Sequence, residues 1–403
     1  MNLLIQPESG IEPLLDGLRS AKKSIQILIF RFDRSEIERA LVEAVQRGVQ
    51  VQALIAFTNR GEEKNLRKLE GRLLERGITV TRTADDLVRY HGKMFIIDRK
   101  ELWLLAFNYT HMDITLSRSF ALAIRTPEIV AEAVKLFEAD ATRQQYRPTC
   151  NDFVVSPANA RTQLMEFIRG AKKQLLLYEM KISDHDFVQL LAEKMAEGLD
   201  VRVIGRSSVK GSVLNVRTLP FRLHARAIFR DGKEAFLGSQ SLRKLELEAR
   251  REIGVIVRDG RVVHEMIQVF EKDWQQSSPA MHGGIDTMLD VPARRVAKEL
   301  AKHIHVTPVV EQVLERVMDR NSDVPFEPSE VAMTVREAFR EEVHDAVMQA
   351  LREMASETIG ASHPSGLGDV PRPEKTGGDN DTQHHRAEKR SGKAAKKHTG
   401  KHG

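Results

Sequence analysis

The amino-acid sequence predicts an α/β fold made of two duplicated lobes in pseudo-twofold arrangement, followed by a C-terminal helical extension and a disordered basic tail. Three observations predict it. The chain repeats itself once, each copy alternates strand-like with helix-like runs, and the pattern changes abruptly beyond the second copy.

The repeat comes first because it organises the rest. Ala21-Lys22-Lys23 and the apolar run 25–30 recur as Ala171-Lys172-Lys173 and 175–180. Gly48 and the alternating stretch 49–54 recur as Gly198 and 199–204, again at an offset of 150. Farther on the offset is 133: His91 matches His224, Asp98 matches Asp231, Arg118 matches Arg251, Phe137 matches Phe270 and Asp140 matches Asp273. The 17-residue change falls between Leu54 and His91, where the first copy carries an extra helical-looking stretch, 62–77. Two copies with one insertion indicate duplication; a solenoid needs at least three repeats. The lobes are expected at 1–148 and 149–278.

Within each copy an amphipathic helix (12–19 and 161–169) leads into an apolar strand. A second helix follows, with Ser35 or Ser183 as N-cap, and then a strand rich in Val and Ile. Two more strand-like runs, 89–97 and 101–107, are matched by 222–229 and 234–237, and a helix closes each copy at 127–143 or 261–275. Such alternation implies sheets covered by helices. Residues 287–356 read as a helical extension, with Thr307 and Pro308 as cap and first position. The one-sided stripe Val331, Val335, Ala338, Phe339 and Val343 implies docking on the body, with a partner or dimer contact as the alternative. From 360 to 403, Gly, Pro, Ser, Lys and His dominate, as in a disordered tail.

An apolar share of 41% suffices for real cores, and 30% charged residues point to a soluble protein. Cys150 is the single cysteine, which excludes an internal disulfide. Residues 1–10 lack the basic and apolar regions of a signal peptide, and the apolar run 25–30 falls far short of the ~20 residues that span a bilayer. A cytoplasmic location, at most peripheral to a membrane, is expected. The net charge of +5 suggests an anionic partner, but residues 371–403 carry nine Lys/Arg against four Asp/Glu and account for all of it. The electroneutral body argues against a broad phosphate-tracking surface.

The chemistry lies in the matched segments. The first copy has His91-Gly92-Lys93, then Asp98 and Asn108; the second has His224-Ala225-Arg226, then Asp231, Gly238-Ser239 and Ser241. In a strand, residues two apart share a face, so each histidine is expected beside its cation. Phosphoryl transfer requires such a nucleophile or acid next to a fixed positive charge. One His-x-Lys means little, whereas two in register are a strong signal.

Over roughly residues 1–275 these motifs resemble the phospholipase D superfamily, whose pattern is His-x-Lys, four residues, Asp, six residues, Gly-Ser-x-Asn. The resemblance implies facing lobes and one shared, metal-independent site that needs no cofactor. It implies His91 as nucleophile, forming a phosphohistidine, and His224 as acid and base. Lys93, Arg226, Asn108, Ser239 and Ser241 would hold phosphate oxygens, and Glu252 would orient a histidine. The first copy departs from the pattern with Leu105-Ala106 in place of Gly-Ser, and the second with Arg226 for Lys and Ser241 for Asn. Ser119 stands where Glu252 has its match, and this lopsided carboxylate support also suits the opposite division of labour between the histidines.

Asp98 and Asp231, at strand-to-turn junctions, read as structural residues. Arg118 and Arg251 read as lobe-stabilising ion-pair partners or as ligands. Arg206, Lys210, Arg217 and Arg222 lie in a connection without acidic residues that leads into His224, and they are expected to rim the cleft and attract a phosphodiester anion, with a solvated basic loop as the alternative. The expected function is that of a phospholipase D-like phosphodiesterase, hydrolase or phosphatidyltransferase, acting on a phospholipid or other phosphodiester with transient contact to a membrane surface. A nuclease of the same superfamily, with nucleic acid as partner, and a catalytically decayed scaffold for anionic partners are the alternatives. Oligomeric state is left open.

Overall fold

The computed structural model of the chain describes residues 1–57, 63–209 and 212–280. The expected helical extension, the basic tail and Lys210 lie outside the described residues. The first copy comprises β1 (Asn2–Gln6), α1 (Glu12–Arg19), β2 (Ser24–Ile29), α2 (Ser35–Gln46), β3 (Gln50–Ile55), α3 (Glu63–Glu75), β4 (Thr79–Arg82), β5 (Arg89–Tyr90), β6 (Met94–Ile97), β7 (Glu101–Leu105), α4 (His111–Thr115), β8 (Ser117–Ile124) and α5 (Pro127–Thr142). The second comprises β9 (Phe153–Val155), α6 (Ala160–Arg169), β10 (Gln174–Ile182), α7 (His185–Ala196), β11 (Asp200–Ser207), β12 (Asn215–Thr218), β13 (Arg222–Leu223), β14 (Ala227–Arg230), β15 (Glu234–Gly238), α8 (Lys244–Glu248), β16 (Arg250–Arg251), β17 (Ile253–Val257), α9 (Gly260–Gln276) and β18 (Ser278–Pro279).

The two copies build sheets of the same topology. One runs β1-β8-β7-β6-β2-β3-β4, the other β9-β17-β15-β14-β10-β11-β12-β18. In each, three strands are parallel (β2, β3, β4; β10, β11, β12), and the strands beyond β2 or β10 are antiparallel. The helix α3 stands between β3 and β4, whereas β11 passes to β12 through 208–214, and this accounts for the change of offset between the copies. The basic connection before His224 is therefore not all loop, since it contains β12.

Alternation along the strands sorts side chains to two faces. Ile25, Ile27 and Ile29 of β2 join the residues of α1, α2 and α3, while Leu28 turns inward. In β10, Leu175 and Leu177 pack with α6 and α7, while Leu176 and Tyr178 turn inward. The inward faces of both sheets share one core with α5 and α9. Aromatic contacts cross it: Phe120 lies 5.5 Å from Tyr178, which meets Phe270 edge-on at 5.0 Å. The lobes have no separate interiors on this side.

Two short strands exchange partners between lobes. β13 runs parallel to β8, with Arg222 opposite Ser117 and Leu223 opposite Arg118. β5 runs parallel to β16, with Arg89 opposite Arg250 and Tyr90 opposite Arg251. Two buried arginines cross the same seam. Arg118 donates Nε to Asp273 of α9 at 2.7 Å and Nη1 and Nη2 to Glu8 at 2.6 and 3.0 Å. Arg251 lies 3.1 Å from Asp140 of α5.

Some sequence expectations are corrected. Ser35 is the first residue of α2, not its cap; Arg34 holds the cap position without a side-chain bond. At α7 the cap is Asp184 rather than Ser183, because its carboxylate accepts from the N–H groups of Asp186 and Phe187. The expected strand 89–97 is split into β5 and β6, which belong to different sheets. Among the described residues no helix is long and apolar enough to cross a membrane.

Replacing Asp273 would leave Arg118 with Glu8, whose side chain is 55% exposed, and would strip the Tyr178 hydroxyl of its 2.6 Å acceptor. Asp273→Ala is expected to cost about 3 kcal/mol in urea unfolding, as breaking a buried pair does. Glu8→Ala should cost no more than about 1 kcal/mol. Equal losses would contradict the assignment of Asp273 as the buried anchor.

Candidate active site

His91, Gly92 and Lys93 occupy the break between β5 and β6, and His224, Ala225 and Arg226 the break between β13 and β14. The residues before each histidine pair with the opposite lobe and those after its cation pair with their own, so the motif is the crossing itself. The N–H of His91 donates to the Arg251 carbonyl at 2.7 Å, and that of His224 to the Arg118 carbonyl at 2.9 Å. Strand alternation therefore does not place the cations. Lys93 still meets His91, its Nζ lying 2.9 and 2.8 Å from the ring nitrogens. Arg226 instead donates Nε to Ser241 Oγ at 3.0 Å. Gly92 is required by packing: a Cβ there would come within 2.4 Å of Ile253 Cδ1 from the other lobe.

Each imidazole faces a carboxylate from across the seam. His91 Nδ1 lies 2.8 Å from Glu252 Oε2, and His224 Nδ1 lies 3.0 Å from Asp113 Oδ2. These carboxylates do not correspond under the duplication. Ser119, the counterpart of Glu252, donates its hydroxyl to the His224 carbonyl at 2.7 Å. Glu246, the counterpart of Asp113, accepts from Ser241 N at 2.8 Å, just as Asp113 accepts from Asn108 N at 2.8 Å. The sequence reading missed Asp113, although an acid stands five residues after both Asn108 and Ser241.

Burial and neighbouring charge give the two halves different electrostatics. His91 is driven well below its ordinary pKa by burial and then by Lys93, Arg226, Arg89 and Arg250. Burial also lowers His224, to about 4, against the pull of Asp113. Burial would raise the Asp113 carboxyl, but His224, Arg222 and the Asn108 N–H outweigh it and hold it well below the carboxylate range. Glu252 is pushed up to about 7 by burial and by Glu246. Burial would raise Glu246 too, yet Arg243, Arg226 and Arg250 bring it down to about 2. Burial lowers Lys93 well below its usual value, opposed by Glu252. The fields of Arg226 and Asp113 also reach Lys93, so groups from both lobes act on one site.

Several expected phosphate holders act on their neighbours instead. Asn108 donates Nδ2 to Asp113 at 2.7 Å. The Ser239 hydroxyl accepts from Ile253 N at 3.1 Å, which fixes the segment carrying Glu252, and the Ser241 hydroxyl accepts from Arg226. Of the basic rim, Arg222 joins the site through Asp113 at 2.5 Å and through Ser117 Oγ. Arg217 does not: it stacks on Trp274 at 5.0 Å and donates to the Ser277 carbonyl, because β12 lies at the far edge beside β18. Arg206 is exposed at the end of β11. The Arg226 Nη1 is buried with no hydrogen-bond partner among the described residues.

Asp98 and Asp231 serve structure. With φ of 52° and 53°, they turn their carboxylates onto the backbone N–H groups of Lys22, Lys23 and Ser24, and of Lys172, Lys173 and Gln174. The repeated Ala-Lys-Lys segment and the repeated Asp are thus two halves of one contact. Glu179, also missed, is a buried carboxyl raised to about 7 by burial and lowered by Arg226, where the first copy has Ile29. Among the described residues no cluster of three or more His, Cys, Asp or Glu side chains could hold a metal ion.

A family profile described as cardiolipin synthase, PLD-like domain, matches residues 14–141 and 164–274. A polyphosphate kinase from Prosthecochloris aestuarii is 24% identical over 332 residues, 70% of this chain and 45% of that protein. A mitochondrial cardiolipin hydrolase from Danio rerio is 28% identical over 136 residues, 33% of this chain and 59% of that one. The chain thus spans about half the length of the curated relatives it matches. Among solved structures, phosphatidylserine synthase from Haemophilus influenzae superposes with a TM-score of 0.58 at 12% identity, covering 75% of this chain and 92% of that one, a likeness of fold. With the profile matched across both lobes, the chain belongs to the PLD-like domain family, within the phospholipase D superfamily.

Proposed function

We propose that the chain is a phospholipase D-type phosphodiesterase that cleaves or transfers a phospholipid phosphodiester through a covalent phosphohistidine. One observation carries this reading: two buried imidazoles, each facing with Nδ1 a carboxylate from the opposite lobe, within one set of cations. Nε2 is then the nitrogen for phosphorus or for the leaving oxygen, and on His91 it lies 2.8 Å from Lys93 Nζ, the cation that would meet the phosphate oxygens. The electrostatics favour His91 as nucleophile, since the cations around it keep its imidazole unprotonated and its nitrogen lone pair available. They favour His224 as acid, since Asp113 stays anionic beside it and a bound phosphodiester anion adds further negative charge.

In the first step His91 Nε2 bonds to phosphorus, the ester P–O bond breaks, and His224 gives its proton to the departing alkoxide. In the second, His224 takes a proton from water or an acceptor alcohol, that oxygen bonds to phosphorus, and the P–N bond to His91 breaks. Lys93 and Arg226 stand beside the equatorial oxygens on which charge accumulates. The similarity to a cardiolipin hydrolase favours a lipid substrate. The polyphosphate kinase match favours a second reading, in which the same histidine accepts a phosphoryl group from a phosphoanhydride.

The substrate is tested by giving the purified full chain, in chelator, phosphatidylglycerol, phosphatidylcholine, plasmid DNA or polyphosphate. Head-group release is the expected result; turnover of DNA or polyphosphate alone would replace the lipid reading. His91→Ala should lower kcat by ~10⁴-fold or more on every substrate. His224→Ala should slow phosphoenzyme formation ~10²–10⁴-fold with an alkyl leaving group but less than ~10-fold, read as the nitrophenolate burst, with a nitrophenyl ester, which needs no proton. It should also accumulate an acid-labile phosphoenzyme. The reverse pattern would exchange the roles of the histidines.

Asp113→Asn bears on pH. Asp113 raises the His224 pKa, so removing its charge lowers that pKa. The alkaline limb of kcat/KM, where the acid loses its proton, should move to lower pH. An unmoved limb accompanied by a simple loss of folded protein would leave Asp113 with a structural role only.

A further inference from the structure

The two inter-lobe arginines are related by the duplication, yet their surroundings differ. Arg118 is engaged on every side: Asp273 at 2.7 and 3.2 Å, Glu8 at 2.6 and 3.0 Å, and the Gln6 carbonyl at 2.7 Å. Arg251, 7% exposed, donates to the Ser156 carbonyl at 3.2 Å and lies 3.1 Å from Asp140. Among the described residues its Nε, the atom that in Arg118 faces the aspartate, has no hydrogen-bond partner, and neither has Asp140 Oδ2. The Nη1–Nη2 edge, which in Arg118 faces Glu8, has no matching carboxylate here, because Gln6-Pro7-Glu8 recurs as Ser156-Pro157-Ala158.

At that place the structure has a cavity of about 440 Å³, lined by Ala158, Tyr90 and Tyr146 and by the charged Arg251, Arg143, Asp140 and Asp86, the last of which accepts from the Tyr90 hydroxyl at 2.6 Å. The volume lies within the ~300–1,000 Å³ typical of small-molecule sites. The guanidinium carbon is 5.6 Å from the centroid of the Tyr90 ring and 5.9 Å from that of Tyr146, so the two rings flank it. A planar fork of this kind matches a carboxylate in two parallel hydrogen bonds. Asp140 does not exclude a second anion, since Arg118 already accommodates two.

We propose that this cavity is a second binding site, for a small carboxylate ligand whose carboxylate takes against Arg251 the place that Glu8 takes against Arg118. The site is separate from the histidine pair and does not depend on the reaction assigned to it. It adjoins that pair nonetheless: the Arg251 carbonyl accepts from His91 N, and the next residue, Glu252, holds the His91 ring. A bound carboxylate would stiffen the segment that positions the nucleophile.

The test is thermal unfolding of the full chain in sodium acetate and sodium succinate at fixed ionic strength, with sodium chloride as control. A saturable rise in Tm with at least one carboxylate is expected. Ala158→Glu supplies the carboxylate from within, so it should raise Tm without ligand and weaken the response by ~10-fold or more. Glu8→Ala opens the same seat at Arg118 and should gain a response. No rise in the unmodified chain, or an undiminished one in Ala158→Glu, overturns the proposal. If Ala158→Glu does not fold, Glu8→Ala decides: a response no larger than that of the unmodified chain overturns it.

Discussion

Everything in this molecule depends on the exchange of two short strands across the seam between the lobes. β5 leaves its own sheet to lie along β16, β13 leaves its own to lie along β8, and the chain returns home only after passing through His91 or His224. The histidine backbones are thereby hydrogen-bonded to the neighbouring lobe, and the first residue past each cation is already in a buried strand. A histidine pair placed at such a crossing needs no loop to position it. The ion pairs of Arg118 and Arg251 and the common apolar core hold the seam closed around it.

Within this symmetric frame the chemistry is asymmetric. His91 has a carboxylate that burial pushes toward neutrality and a ring of cations, whereas His224 has one that remains anionic. Where the first half has Lys93 and Ile29, the second has Arg226 and Glu179. A nucleophile needs its lone pair and an acid needs its proton, so unequal surroundings are what the proposed two-histidine mechanism would require.

Much of this was legible in the sequence because duplication turns a weak motif into a strong one. The paired lobes, the helix that breaks their register, the two histidines and the structural roles of Asp98 and Asp231 follow from counting offsets. What escaped depended on contact across the seam. Asp113 reaches a histidine of the other lobe, and no local pattern says which of several acids will do so. Arg217 was read as part of the rim because it precedes His224 in the chain, but β12 carries it to the outer edge of the sheet. Alternation was applied to His91 and Lys93 as if one strand continued through them, and a change of sheet lies between.

The crossed pairings have the form of an isologous interface, in which the same surface meets itself across a twofold axis. Two identical chains could make every one of these contacts, but they would be bound to equal residues on both sides. Joined in one chain, the halves can accept different substitutions while the seam persists. Glu8 opposite Ala158 and Ser119 opposite Glu252 are differences that no homodimer could hold. Covalent fusion here has a chemical result: it gives one seam two unlike hands.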